Sequence, residues 1–427
     1  LYKDQIVRAV YSSDAGGFIR DRFSVVSPAI IANAETEEVV PYVPDSNITE
    51  EENSIREEAH DLYEEPVITD SNVFTFYISD EKKTNHYKNA YEALNDIYDK
   101  FSSIAQVSRT LNVNLIVKKE LNKERIRETR LSNFQSAQRD LSFITVSGDD
   151  DKIVMHSDHW YSFGWFGCGA KGKIVKIKKG THFIIHCYKD SDINAIGSPI
   201  LVKIDQTQIE QSVFLENITV EVKPFTNDKK AYATSVAVIF LNCEAVLKNV
   251  KIVNPLGCCV KIGGYSTALS RKITIIDCDF SSVENNLIIE GYPQISASCL
   301  NTKFSTISNL ESSFETTNVL TSGEFKQRLS LIKCTFVGSD RALVPVHCSK
   351  VRTLNLQVKD CNFSGHAKEQ KIYCTSDSKI GNITTPYDGA LEIEDKLEYS
   401  KEYTGFEQGT QIGGWEKYTY TYKQITN

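Results

Sequence analysis

The sequence predicts a mainly β protein: a right-handed parallel β-helix (β-solenoid) with an N-terminal extended and helical attachment segment. Three observations predict it. The stretches IIDCDF (275–280), LIKCTF (331–336) and VKDCNF (358–363) each place a cysteine two residues before a phenylalanine in an alternating, strand-like run. LENITV (215–220), LKNVKI (247–252) and LNTKFS (300–305) continue the series. Asn217, Asn249, Cys278, Thr302, Cys334 and Cys361 then align at steps of 32, 29, 24, 32 and 27 residues. A second element, VKIGGY (260–265) and LIIEGY (287–292), repeats at a step of 27.

A drifting period in the high twenties is the mark of a solenoid whose turns carry unequal loops. Successive turns pair in parallel about 4.8 Å apart, so like residues stack into ladders. Phe280, Phe304, Phe336 and Phe363 are expected to form one such aromatic ladder. Cys, Thr and Asn suit the narrow inside of a coil. The right hand is expected from the general preference of parallel crossovers. Leucine-rich and propeller repeats fit worse, because neither an L-x-x-L-x-L frame nor a W-D signature is present.

Along the chain four regions follow. Residues 1–70 form an acidic N-terminal attachment segment; its stretch 35–65 holds 12 acidic side chains against the single base Arg56. Thr49 and Glu52 make a capping box, which predicts a short helix near 49–63. The composition fits a solvated linker, and equally a segment that orders only on a partner. Residues 71–140 read as a strand–helix–strand cap. NVFTFYISD (72–80) alternates, Ala90, Leu94, Ile97, Phe101 and Ile104 follow at helical spacing, and NVNLIVKKE (112–120) returns to strand. Such a cap covers a sheet edge that would otherwise recruit other chains. Residues 141–385 are the parallel β-helix. Residues 386–427 are a C-terminal β extension, where Trp415, Tyr418, Tyr420 and Tyr422 alternate with polar residues; they suit a closing strand, a trimer-sealing strand or a glycan-facing one.

Whole-chain totals exclude several classes. A net charge of −8 over 427 residues argues against a general nucleic-acid binder. No apolar run approaches the roughly 20 residues that span a bilayer. The opening LYKDQIVRAVYSS carries charges where a secretory signal needs an apolar core. All 11 cysteines follow residue 167 without a CxxC spacing, which suits buried reduced thiols and assembly in a reducing cytosol.

The strand–helix–strand cap, the first-coil segment SFITVSGDDDKIVMHS and the rungs IIDCDFSS, LIKCTFVG and VKDCNFSG resemble the pectin-lyase-like β-helices, above all bacteriophage tailspike and tail-fibre proteins. The likeness covers roughly residues 72–385. It implies a homotrimer in the virion tail, assembled in the host cytoplasm and attached to other tail or baseplate proteins through the N-terminal segment. It also implies a flank that binds, or cleaves, host surface polysaccharide, with no cofactor.

Candidate chemistry is sparse. Asp277 and Asp279 bracket Cys278; on a strand they would point outward together, roughly 6.6 Å apart, within the range of inverting glycosidases. In the aligned rungs they neighbour Lys248 and Lys303, so a surface charge ladder explains them as well. Glu290 precedes Gly291-Tyr292, one rung after Gly264-Tyr265, and Tyr265 with Tyr292 could pack on the apolar face of a sugar or simply shield the coil. Asp149-Asp150-Asp151 lacks the spacing of a calcium loop and reads as a polar turn. His156 and His159 fall on opposite faces of a strand, so no metal site is expected. WYSFGWFGCG (160–169) reads as an irregular packed loop or a binding surface. No Walker A, GxSxG, HExxH or GxGxxG motif is present.

Overall fold

Short β-branched and apolar runs, separated by polar corners, wind into three long parallel sheets. The computed structural model describes residues 41–61, 73–105, 112–121, 144–157, 176–187, 200–202, 212–224, 237–241, 244–263, 270–290, 294–307, 316–323, 326–339, 342–351, 353–368, 371–375, 378, 380–387, 391–393, 397–407 and 415–424. Sheet I has eight strands, from Lys152–Ser157 to Asn362–Ser364; sheet II has eight, from Ile200–Val202 to Leu391–Ile393. Sheet III has nine, beginning with Ser212–Glu216. The chain passes from sheet III to I to II and back, making a parallel β-solenoid of about six turns. Register is kept from rung to rung: Leu247, Ile275, Cys299, Leu331 and Val358 are successive partners, all buried.

The cap folds as its periodicities predict. Strand Val73–Ile78 pairs in parallel with Asn112–Val117 along its whole length, and Ile144–Gly148 follows. The helix Ala90–Ala105 buries Ala93, Leu94, Ile97 and Phe101 against the sheet, Phe101 meeting Phe74 at 4.9 Å and Phe76 at 6.0 Å between ring centres. Asp149–Asp151 is a polar turn, with Asp150 and Asp151 at φ 49° and 58° and Asp151 paired to Lys178 at 2.7 Å. His159 and the 160–169 stretch lie outside the described residues.

The corner from sheet III to sheet I fixes the repeat. Asn217, Asn249, Asp277, Asn301, Lys333 and Asp360 all adopt left-handed backbone, φ 49° to 55°. Asn and Asp tolerate this region best, which explains their abundance there. The next residue always points inward: Ile218, Val250, Cys278, Thr302, Cys334 and Cys361 are all buried. The alignment expected from sequence is therefore corrected by one residue in its first two rungs. Asn217 and Asn249 belong to the outer corner, and the inward ladder runs at steps of 32, 28, 24, 32 and 27. The difference arises because Asn suits both a coil interior and a left-handed corner.

The phenylalanine ladder forms as expected. Phe280, Phe304, Phe336 and Phe363 are successive register partners, with ring centres 5.9, 5.2 and 5.2 Å apart. At the next corner Asn286 and Asn318 make a buried amide ladder, Asn318 Nδ2 donating to Asn286 Oδ1 at 2.9 Å, and the His366 ring nitrogen Nε2 meets Asn318 Oδ1 at 2.7 Å. Cys258, Cys259, Cys278, Cys299, Cys334, Cys348, Cys361 and Cys374 are free and buried. Parallel stacking ends at an antiparallel hairpin, Leu397–Glu407 and Trp415–Gln424, whose second strand pairs with Ile380–Thr385. Tyr420 is buried there, as a closing strand requires, while Tyr403 is exposed.

Replacing Phe304 by Ala removes the centre of the ladder and is expected to cost about 3–5 kcal/mol. Chemical denaturation at constant pH measures it. Phe363→Ala, at the half-buried end of the same ladder, should cost less.

Candidate functional site

Four polar residues singled out in the sequence, Thr49, Glu52, Arg56 and Asp277, come together around one short helix. Thr49 and Glu52 form the capping box, with Thr49 N–H donating to Glu52 Oε2 at 3.0 Å and Glu52 N–H donating to Thr49 Oγ1 at 3.2 Å. They start helix α1, Glu50–Asp61. The preceding loop is tied to it by Asn53, whose Oδ1 accepts from Tyr42 Oη at 2.9 Å and from Asp45 N–H at 2.8 Å. A helix of 12 residues is marginal alone and needs a face to bury.

That face lies on the outside of sheet III. Ile55 and Ala59 pack on Val246, Ile276, Leu300 and Ile332, which sit on four successive strands, with Phe214 half-buried beside them. Ion pairs flank the apolar seam. Glu51 meets Lys359 at 2.7 Å and accepts from Gln357 at 2.9 Å; Glu52 meets Lys333 at 2.7 Å. Arg56 forks onto Asp277, Nη1 to Oδ2 at 3.0 Å and Nη2 to Oδ1 at 3.2 Å, and Glu58 meets Lys272 at 2.6 Å. The helix thus runs back along the solenoid. Glu51 and Glu52 reach the adjacent rungs of Lys359 and Lys333, and Arg56 and Glu58 reach the rung of Lys272 and Asp277, two further on.

Asp277 is therefore a strap anchor. Burial raises its carboxyl, but the Arg56 guanidinium and the Asn301 amide, 2.7 Å from Oδ1, more than offset that and hold it below its usual 3.8. Glu52 behaves alike: burial raises it, and Lys333 with the Thr49 backbone and hydroxyl brings it below 4.5. The expected pairing of Asp277 with Asp279 changes, because Asp277 is a left-handed corner residue and Asp279 opens the next strand. They are not alternate positions of one strand. Asp277 stacks between Asn249 and Asn301 at the corner, in place of the expected Lys248, which lies in register with Ile276. Asp279 lies between Lys251 and Lys303 in register, as a charge ladder would place it.

Glu290 ends its strand and pairs with Lys261. Tyr265 and Tyr292 lie outside the described residues. Sequence reasoning passed over Glu284, in the turn between sheets I and II; its half-buried carboxyl is pushed up to about 7 by desolvation. Nothing in SSVENN marks it. Desolvation likewise pushes the Cys259 and Cys278 thiols up to about 12, so neither is a nucleophile near neutral pH. Among the described residues no three His, Cys, Asp or Glu side chains converge to hold a metal ion, and no helix is long and apolar enough to cross a membrane.

No family model, no curated protein and no solved structure matches this chain.

Two pH dependences follow from these carboxyls. Asp277 and Glu52 titrate lower with α1 docked than released, so they stabilise docking above the usual carboxylate range and lose this as pH falls through their docked values. The protection of the α1 amides, relative to their intrinsic exchange at each pH, should fall below about pH 4, and Arg56→Ala should remove the Asp277 share of that dependence. Glu284 has the opposite sign. Its raised value means the fold binds the extra proton, and stability is lost as pH rises from 4.5 towards 7. Glu284→Gln should raise the melting temperature at about pH 8 and leave it nearly unchanged at about pH 4.

Proposed function

We propose that this chain is a bacteriophage tail component, a trimeric tailspike or tail fibre that attaches to other tail proteins and binds host cell-surface glycan. The observation that carries the binding part is the outward row of sheet I. Lys251, Asp279, Lys303, Thr335 and Asn362 follow one another in register at rung spacing. Such a line of donors and acceptors, repeating about every 4.8 Å, suits an extended polar polymer rich in hydroxyls. The virion setting rests on the likeness of the cap and rungs to tailspike sequences.

A depolymerase on the same scaffold, glycoside hydrolase or lyase, is the second reading. One observation favours it: Glu284 keeps its proton to near neutrality, as a general acid must. The two readings differ in turnover. A binder retains polysaccharide without releasing reducing ends. A depolymerase releases them, and Glu284→Gln should abolish release while binding persists.

Light scattering on the purified chain tests the assembly. The expected mass is about 144 kDa, three times the 48.1 kDa of one chain. A value near that of one chain overturns the trimer in solution. Binding to host-surface polysaccharides, lost on Lys251→Glu with Lys303→Glu, tests the glycan row; unchanged binding removes sheet I from the proposal.

A further inference from the structure

We propose that Cys348 and Cys374 are an oxidation site, a dithiol that closes to a disulfide and staples two neighbouring turns near the end of the solenoid. The pair sits in register on adjacent parallel strands of sheet II, Ala342–Ser349 and Ile372–Cys374. Both residues are free and fully buried, and their thiols are hydrogen-bonded to each other. They belong to one buried column, which runs Ile262, Ile289, Thr321, Cys348, Cys374. Isoleucine fills the coil at the first two of these rungs, so packing alone does not call for two stacked thiols. Register partners lie about 4.8 Å apart, within the roughly 4.4–6.8 Å between Cα atoms that a disulfide spans. Cys334 and Cys361 join the same two turns and also touch. Each of them, however, already donates to backbone carbonyls: Cys334 Sγ to Cys299 and Ile332 at 3.4 Å, Cys361 Sγ to Leu331 at 3.4 Å and Lys359 at 3.3 Å. A bridge there would forfeit those bonds.

Closed, the pair is inert. The contact with Cys348 and desolvation hold the Cys374 thiol far above its ordinary range, and only a thiolate reacts. Access comes from the end of the solenoid. Strand Leu391–Ile393 is the edge of sheet II among the described residues, has three residues and pairs with Ile372–Cys374. So short a terminal strand opens far more readily than the whole fold. With it open, Cys374 gives up its proton and attacks one sulfur of a small disulfide, oxidised glutathione. The S–S bond of that reagent breaks, one glutathione leaves as the thiol, and the other stays on Cys374 Sγ. The Cys348 thiolate then attacks Cys374 Sγ, and the second glutathione leaves. Two protein thiols lose two electrons and two protons, and one glutathione disulfide gains them as two thiols. Strand pairing then closes over the bridge.

Oxidised glutathione added to the native full chain at about pH 8 tests this. After alkylation in denaturant, trypsin places Cys348 alone in ALVPVHCSK (342–350) and Cys374 alone in IYCTSDSK (372–379). The expected product joins these two peptides, at the sum of their masses less two hydrogens. Cys258 and Cys259, in IVNPLGCCVK (252–261), lie mid-solenoid and should be recovered alkylated. In the bridged chain amide exchange over 372–374 and 391–393 should slow roughly tenfold, and dithiothreitol should restore it. Cys348→Ser should show no such slowing with the same oxidant. The proposal fails if Cys348 and Cys374 are still recovered alkylated after a time in which the urea-unfolded chain is fully oxidised. It fails too if Cys258 and Cys259 are oxidised at the same rate, since global unfolding then admits the reagent.

Discussion

Parallel pairing of each turn with the next, in register, is the constraint on which the rest of this structure depends. It sets one rung about every 4.8 Å and stacks each position on its counterpart in the next turn. An isolated phenylalanine or cysteine at these sites has no packing advantage; four stacked rings and a column of small inward residues have a large one. The same constraint makes the corner uniform. Six residues repeat the left-handed conformation, and the N–H groups of Asn217, Asn249, Asp277, Asn301 and Lys333 each donate to a carbonyl of the following turn. Side-chain amides reinforce this in two cases, Asn249 to Asn217 at 2.5 Å and Asn301 to Asp277 at 2.7 Å.

Stacking also governs which charges are free to act. A carboxylate placed on a rung meets whatever the next rungs present, and here they present lysine, asparagine or the guanidinium of α1. Asp277 and Glu52 become structural anions for that reason. Glu284 escapes because it sits in a turn between sheets, where burial is not matched by a cation. Glu284, at a turn, is thus pushed up towards neutrality, whereas Asp277 and Glu52 are held down by cations.

Much of the fold was legible in the sequence because ladders write themselves as repeats. The phenylalanines aligned correctly, the VKI and LII segments fell in register, and the capping box at Thr49 named its helix. The one-residue slip at Asn217 and Asn249 came from reading residue type where backbone conformation decides. The site was harder to see. Arg56 stood out as the one base in an acidic stretch, and Asp277 stood out beside Cys278, yet 221 residues separate them. No local pattern links two such positions. Only the folded rungs show that Glu51, Glu52 and Glu58 meet Lys359, Lys333 and Lys272.

The fit of α1 to its groove is a vernier with two unequal scales. From Glu51 to Glu58 the helix rises about 10 Å, while their partners Lys359 and Lys272 lie three rungs or about 14 Å apart, and side chains bridge the difference. A longer straight helix would widen that gap until its acids no longer reached their lysines. A straight helix can therefore read only a short length of solenoid.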